Sequence, residues 1–240
     1  MAFIAVLQFS MIASLVTSLQ NYSVISPMFF LVHKLIVCLG EISGSCAREP
    51  VNNELNEETV DFKTVTTTLL ATLKQEHISY ALIGGFAVSL WGYQRATVDM
   101  DFLVNNNDMV KVRRIAEAMG YRCIHASENV TQFVSDDKRQ GKLDFLHAFR
   151  PAALSMLERA ELKTIFDGEQ TIPVILPEDL IGLKIQAINN DPSRAALDMV
   201  DIEALMNIFE AKLDWKRIEG YFELFGMQET AAKLRLKYDV

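Results

Sequence analysis

Two aspartates lie one residue apart in the run Val-Asp-Met-Asp-Phe-Leu at residues 98–103. In a strand, alternate side chains share a face, so Asp99 and Asp101 point to one side and the apolar residues to the other. Two carboxylates that close destabilise each other unless a cation lies between them, and magnesium prefers such hard oxygen ligands. These residues alone also fit a solvent-exposed edge strand, since acidic side chains are mostly exposed.

A third aspartate follows in the apolar run Lys-Leu-Asp-Phe-Leu at residues 142–146. In a strand, Asp144 projects away from the buried face. If this strand lies beside the first, three carboxylates converge, which is the ligand set that two metal ions need for in-line attack on a phosphate. Asp99 and Asp101 would bridge both ions, and Asp144 would complete the ion that activates the attacking hydroxyl. Taken alone, Asp144 also fits an ordinary polar position on a half-exposed strand.

A glycine pair upstream of these aspartates could bind phosphate. Gly84 and Gly85 follow a predicted strand and open a predicted helix, where backbone N–H groups can cradle a phosphate. A tight packing turn between strand and helix would also explain the pair. Arg95 and Thr97 lie between the glycines and the paired aspartates, and Arg95 can make a forked contact to phosphate oxygens.

Further charged residues lie in the C-terminal part of the chain. Lys184 interrupts an otherwise apolar predicted helix, where a buried charge requires a partner. Arg194, Asp198 and Asp201 are spaced to share one face of the next helix. Two interpretations stay open. Either Lys184 contacts the phosphate ligand of the site, with Asp198 or Asp201 orienting it, or these residues form a structural ion pair between two helices.

The elements that must position these residues alternate between short apolar strands and amphipathic helices. Strands are predicted at 80–83, 98–104, 121–125, 131–134, 142–147, 163–166 and 171–176. Helices are predicted at 56–77, 86–91, 108–119, 152–159, 178–189, 193–211, 214–223 and 227–237. This pattern predicts an α/β (α+β) fold, with a core at 51–176 and a helical C-terminal part at 177–240 packed on it.

The first fifty residues differ from the rest. Residues 1–33 contain no Asp, Glu, Lys or Arg, and residues 1–50 carry no net charge, so the whole net charge of −8 lies in 51–240. We interpret 1–50 as an apolar N-terminal extension, produced by a mis-assigned translation start or associated with a membrane through residues 1–40. A cleaved secretory signal is a third explanation, although a basic start is missing.

Composition excludes several classes of protein. With 50% hydrophobic and 22% charged residues, the 240-residue chain is not intrinsically disordered. The negative net charge argues against a broad basic face that coats nucleic acid, but not against a small metal-assisted phosphate site. The three cysteines, Cys38, Cys46 and Cys123, close no disulfide framework and suit no zinc site. We therefore expect a reducing compartment, the cytoplasm.

Two of these motifs together carry a resemblance. Leu-Ile-Gly-Gly-Phe-Ala at 82–87 and Arg-Ala-Thr-Val-Asp-Met-Asp-Phe at 95–102 resemble the signature of the DNA polymerase β-like nucleotidyltransferase superfamily. That signature is a Gly-Gly turn, a short helix, a strand bearing Asp-x-Asp, and a third Asp on a later strand, matched by Asp144. The Arg-x-Thr-x-Asp-x-Asp form is similar to the AbiEii-type nucleotidyltransferases of abortive-infection and toxin–antitoxin systems.

The C-terminal half extends this resemblance. Residues 176–187 are similar to the helix of that group with a Lys-x-x-Ala motif, and Arg194, Asp198 and Asp201 resemble its following helix. The resemblance covers roughly residues 60–210. It implies a small mixed β-sheet of the nucleotidyltransferase type, flanked by helices.

The resemblance also implies an activity and its residues. A nucleoside monophosphate would pass from a nucleoside triphosphate (NTP) to an acceptor hydroxyl or phosphate, with two Mg²⁺ ions as cofactors. The implied catalytic and metal-binding residues are Asp99, Asp101 and Asp144. The implied nucleotide-binding residues are Gly84, Gly85, Arg95, Thr97, Lys184, Asp198 and Asp201.

The acceptor stays open between RNA, protein and a small molecule, and a toxin of this kind would have a cognate antitoxin as partner. A non-catalytic nucleotide-binding or interaction module on the same fold is an alternative. An antibiotic nucleotidyltransferase, with a similar Gly-Gly and Asp-x-Asp layout, is another.

Overall fold

The computed structural model describes residues 62–97 and 99–238, apart from the side chains of Phe62 and Lys138. The predicted extension at 1–50 and the start of the predicted helix 56–77 lie outside the described residues. Among the helices that are described, none has both the length and the apolar character needed to cross a membrane. The predicted membrane-associated segment 1–40 is not among them.

The strands of the described residues form one sheet in the order β3-β4-β5-β2-β1-β7-β6. They are β1 Tyr80–Ile83, β2 Asp99–Asn105, β3 Tyr121–Ala126, β4 Val130–Ser135, β5 Lys142–Ala148, β6 Glu161–Ile165 and β7 Gln170–Val174. The helices are α1 Phe62–Gln75, α2 Gly84–Leu90, α3 Met109–Ala118, α4 Pro151–Glu158, α5 Pro177–Asn190, α6 Ala195–Phe209, α7 Trp215–Leu224 and α8 Gln228–Tyr238.

The sheet is mixed, as predicted. β2 pairs with β5 in parallel and with β1 antiparallel, while β1 pairs with β7 in parallel. The pairs β3–β4, β4–β5 and β6–β7 are antiparallel. The predicted α/β fold with a small mixed sheet and flanking helices is therefore confirmed.

Aromatic side chains fix the central strands from one face of the sheet. Phe102 on β2 stacks on Phe145 of β5 with ring centroids 5.5 Å apart, and Phe133 of β4 meets Phe145 edge-on at 5.8 Å. All three rings are fully buried. On the same side, the Thr66 hydroxyl of α1 donates to Met100 Sδ at 3.1 Å. Since side chains alternate along a strand, the neighbouring aspartates are forced to the opposite face.

The opposite face is partly covered by α5. This helix buries Leu180, Ile181 and Ile185 and packs against α6 and α7, while α8 packs on α7. Its first turn carries Pro177, which is well suited to a helix start because its missing N–H would have no partner there. The division of the chain at 50 and 176 stays a prediction.

Candidate active site

Parallel pairing of β2 and β5 places three aspartates side by side. Asp101 is the register partner of Asp144, and Asp99 lies two residues earlier on the same face of β2. All three side chains are half-buried. The sequence pattern required these two strands to be neighbours, and the structure places them side by side. On the other face of the sheet, the stacked Phe102 and Phe145 rings hold the same two strands together.

Gly84 lies against this cluster. Its backbone has φ +67°, a left-handed conformation that favours glycine. A Cβ atom at Gly84 would also overlap the Asp101 carboxylate. At Gly85 a Cβ would lie 3.0 Å from an Arg95 guanidinium nitrogen. The glycine pair therefore lets the backbone at the start of α2 approach both a carboxylate and a cation closely.

The carboxylates are short of positive charge. Burial, followed by the charges of Asp144 and Asp99, raises the pKa of Asp101 to about 6, although Lys184 and Arg194 act in the opposite direction. Burial also raises the pKa of Asp144, opposed by a hydrogen bond from Gln132. The Asp99 Oδ1 atom is buried and has no hydrogen-bond partner. A cation bound among these carboxylates would be stabilised by their negative charge.

A network of alternating charges lies on the other side of the site. Arg95 donates to Asp201 at 2.5 Å, and Lys184 Nζ donates to Asp201 at 2.5 Å and to Asp198 at 3.0 Å. Arg194 Nε donates to Asp198 at 2.9 Å. Three cations thus share two carboxylates. The sequence predicted that buried Lys184 needs a charged partner, and the structure gives it two, Asp198 and Asp201. Ion pairs therefore join α5 and α6.

These two groups face each other across a cavity of about 410 Å³. The predicted site residues that line it are Gly84, Gly85, Arg95, Thr97, Asp99, Asp101, Asp144, Lys184 and Asp198. Asp201 does not line it and instead holds Arg95 and Lys184 from behind. Lys184 lines the cavity while it is paired, so the ion pair is compatible with the predicted contact to a nucleotide, which stays a prediction. Thr97 Oγ1 donates to the Asp99 carbonyl oxygen at 3.3 Å.

Sequence reasoning missed one residue that contacts the carboxylate cluster and one that lines the cavity. Gln132 on β4 is the register partner of Asp144, and its Nε2 donates to Asp144 Oδ2 at 2.9 Å. Arg194 lines the cavity together with Leu183 and Leu197. The sequence predicted only that Arg194 shares a helix face with two aspartates, not that it reaches the cavity. In the sequence, Gln132 stands out only as a polar residue next to the apolar Phe133. That pattern does not reveal the strand register, which places Gln132 opposite Asp144.

The donor set fits a divalent cation by its chemistry. It supplies hard carboxylate oxygens that destabilise one another, and one of those oxygens is buried without a partner. Across residues 62–97 and 99–238, however, no group of three or more His, Cys, Asp or Glu side chains is arranged so that it already encloses a metal ion. The three carboxylates are adjacent, but their side chains would have to change conformation to surround an ion.

The mixed sheet, the Gly-Gly turn and the carboxylates on adjacent strands define a nucleotidyltransferase fold. A family model described as "Nucleotidyl transferase AbiEii toxin, Type IV TA system" matches residues 68–238. The chain therefore belongs to this family, and the family resemblance predicted from the sequence motifs is confirmed. Nucleotidyl transfer is thereby supported as the general activity.

Solved structures are similar to the chain in fold. ANT(2″)-Ia in complex with adenylyl-2″-tobramycin has a TM-score of 0.52 and 14% identity, covering 69% of this chain and 97% of that chain. The solution structure of the same antibiotic-resistance factor has a TM-score of 0.50 and 15% identity, covering 72% and 96%. The lincosamide antibiotic adenylyltransferase LnuA, with lincomycin bound, has a TM-score of 0.43 and 19% identity, covering 62% and 99%. No curated protein matches the chain significantly.

Proposed function

We propose that this protein is a metal-dependent nucleotidyltransferase that moves a nucleoside monophosphate from an NTP to an acceptor hydroxyl or phosphate. One observation carries the proposal: three adjacent carboxylates and three cations face each other across one cavity. A triphosphate needs positive charge along its oxygens, and its reacting phosphorus needs a metal site beside it. The AbiEii family and the nucleotidyltransferase fold support the same chemistry.

The triphosphate is assigned to the side of the cavity next to β1. Gly84 and Gly85 bring backbone close to the site, and Arg95 and Lys184 supply positive charge there. Asp198 and Asp201 hold these cations in place through the ion pairs described above. Thr97 anchors the segment that leads into β2 through its hydrogen bond to the Asp99 carbonyl oxygen.

Asp99, Asp101 and Asp144 are assigned as the residues that would hold two Mg²⁺ ions. Bound there, the ions would neutralise charge on the phosphates and make the acceptor oxygen more nucleophilic. The acceptor oxygen attacks the α-phosphorus, the bond from this phosphorus to the oxygen bridging the β-phosphate breaks, and pyrophosphate leaves. The hydroxyl proton leaves toward the Asp144 carboxylate, which Gln132 orients. Most of the catalysis would come from positioning and charge neutralisation.

The family description also supports a biological role and a partner. We place the protein as the toxin of a toxin–antitoxin pair, with its cognate antitoxin as partner. The cytoplasm stays the proposed location, because the cysteine content suits a reducing compartment.

The proposal is tested by transfer of label from each α-labelled NTP in the presence of Mg²⁺. The full chain is incubated with total RNA, with total protein and with small-molecule extracts, beside Asp99→Ala. Asp136→Ala removes a carboxylate from an exposed loop and serves as the matched control. We expect label with the wild type and the control but none with Asp99→Ala. Equal labelling by Asp99→Ala would refute the proposed site.

A further inference from the structure

A second cavity adjoins the catalytic one. Its volume is about 390 Å³, and Leu146 and Leu183 line both cavities. Both leucines are half-buried, and their side chains form part of the boundary between the two cavities. This volume lies within the range of small-molecule binding sites in proteins, about 300–1,000 Å³.

The two cavities follow the same strands and the same helix. On β2, Asp101 lines the catalytic cavity and Leu103, on the same face, lines the second. On α5, Lys184 lines the first and Gln186 the second. The two cavities are therefore successive parts of one groove between the sheet and α5. The second part lies along the stretch of β5 that follows Asp144.

The residues suited to a triphosphate belong to the first of these two cavities. Gly84, Gly85, Arg95 and Lys184 line the catalytic cavity, and none of them lines the second. Asp144 lies at the opposite side, on the strand that leads into the second cavity. With an NTP held by these glycines and cations, the second cavity is the space from which another molecule would approach Asp144.

The walls of the second cavity restrict the chemistry of that molecule. Three aromatic side chains line it: Phe149, Tyr221 and Phe225. Among the residues described, no Asp or Glu lines it, and Arg150 contributes the one permanent charge. His147 uses both ring nitrogens, with Nδ1 2.8 Å from the Glu128 carbonyl oxygen and Nε2 3.0 Å from the Thr131 hydroxyl. A polycation would find no compensating charge here.

Part of this wall is rigid. The Tyr221 hydroxyl donates to the buried Asp179 at 2.6 Å. Its ring packs so closely on Gly182 that a Cβ there would lie 2.6 Å from a ring carbon. At the mouth, the Arg150 guanidinium lies over the Phe149 ring, 5.3 Å from the centroid. Aromatic faces with an arginine beside them are suited to stacking on a planar ring.

We propose that the second cavity is the acceptor site and that the acceptor carries a planar aromatic ring and is neutral or anionic. The inference rests on the proposed nucleotidyl transfer. The ring lies among the aromatic side chains, and a hydroxyl of the acceptor reaches Asp144 past Leu146 and Leu183. A nucleobase at an RNA end and a small aromatic hydroxy compound share this chemistry. The amide groups of Asn129 and Gln186, which also line the cavity, can bond a ring edge.

Variants of the full chain test this assignment with NTP binding as an independent readout. Ala153→Trp fills the second cavity, and Arg150→Glu reverses the charge at its mouth. Leu224→Asp places a carboxylate in the wall at a position that is 71% exposed, so folding tolerates it. The matched controls are Ala118→Trp and Arg122→Glu, both exposed and outside either cavity.

Labelled transfer from α-labelled NTPs is measured with four acceptors: a short RNA with a free 3′-hydroxyl, free nucleosides, phenols, and the polycation tobramycin. We expect label in RNA, nucleosides or phenols and none in tobramycin, and the labelled arm identifies the source of the ring. Each cavity variant should lower kcat/KM for the acceptor about tenfold or more. NTP affinity should stay within about twofold of wild type, and the controls should match wild type.

Three results would overturn the acceptor assignment while nucleotidyl transfer stands: transfer unaffected by all three cavity variants, label on tobramycin, or NTP binding with no label in any of the aromatic arms. Failure of the wild type to bind any NTP would instead refute the proposed function itself, and the acceptor assignment with it.

Discussion

Two clusters of polar side chains in this protein, one buried and one half-buried, stabilise negative charge to very different degrees. Asp179 on α5 is fully buried, yet Arg159 donates to it from two nitrogens at 2.9–3.3 Å and the Tyr221 hydroxyl donates at 2.6 Å. The cluster of Asp99, Asp101 and Asp144 instead gathers like charges and leaves one buried oxygen without a partner.

The difference separates a structural cluster from the cluster that we propose to be functional. A buried carboxylate with a complete set of donors is stable and has no capacity for a ligand. Adjacent carboxylates without enough cations raise one another's pKa and cost the fold stability, which a bound cation would recover. The predictions below test this contrast, from the largest expected effect to the smallest.

Loss of one carboxylate from the proposed catalytic cluster should abolish the chemistry. Asp99→Asn keeps the shape of the side chain but removes a charge that the metal ions would need, so transfer should fall about a thousandfold or more. Single-turnover transfer measures this effect, with circular dichroism to show that the fold is retained. A loss of less than tenfold would contradict a catalytic role.

Loss of the carboxylate from the structural cluster should destabilise the fold. Asp179→Asn leaves Arg159 without its charged partner, and breaking such a pair should cost about 2–4 kcal/mol, less than for a fully buried pair because Arg159 is 32% exposed. Urea unfolding gives the value. Asp136→Asn on an exposed loop is the control and should change stability by less than about 0.5 kcal/mol. A matching loss in the control would show that the pair is unimportant.

Neutralising Asp101 should instead increase the stability of the fold. Its pKa is raised from 3.8 to about 6 in the folded protein, so its ionised form disfavours folding above the unfolded pKa. Asp101→Asn should therefore stabilise the protein by about 1–2 kcal/mol at pH 7.5 with EDTA present. The gain should shrink as the pH falls from 6 towards 4, because the wild-type carboxyl then becomes protonated. Unfolding of both proteins across this pH range checks it, and a pH-independent difference would contradict the explanation.

The smallest effect is expected at Gln132. Gln132→Leu removes the hydrogen bond that orients Asp144, and transfer should fall about three- to tenfold through kcat, with NTP affinity unchanged. Gln228→Leu on the exposed surface of α8 is the matched control. Steady-state kinetics separate the two parameters. A loss confined to NTP affinity would mean that Gln132 acts on the nucleotide and not on Asp144.

Local patterns predicted the elements and most of the candidate site. The strand at 80–83 has its predicted bounds, and alternation in the Asp-x-Asp segment correctly gave the face that the two carboxylates share. The pairing of β4 with β5 could not be derived in this way, because strand register depends on contacts between distant residues. Gln132 was missed for that reason.

Tertiary packing created the features that no short motif encodes. Asp201 was predicted as a nucleotide-binding residue, but it lies behind Arg95 and Lys184 and holds both, a position set by the packing of α6 on α5. The second cavity likewise depends on tertiary packing, because residues of β2, β5, α4, α5 and α7 line it together. Residues 1–61 lie outside the described part of the chain, and their interpretation stays a prediction.

The most direct measurement compares Asp101→Asn and Asp179→Asn side by side, with label transfer from α-labelled NTPs and unfolding free energy recorded for the same samples. We predict that Asp101→Asn transfers no label although it is at least as stable as wild type in EDTA. Asp179→Asn should still transfer label per folded molecule, with a loss far smaller than that of Asp101→Asn because Asp179 acts only through Tyr221 in the wall of the second cavity, while it loses stability. Label transfer by Asp101→Asn at the wild-type rate would contradict the assignment of this carboxylate cluster as the catalytic site.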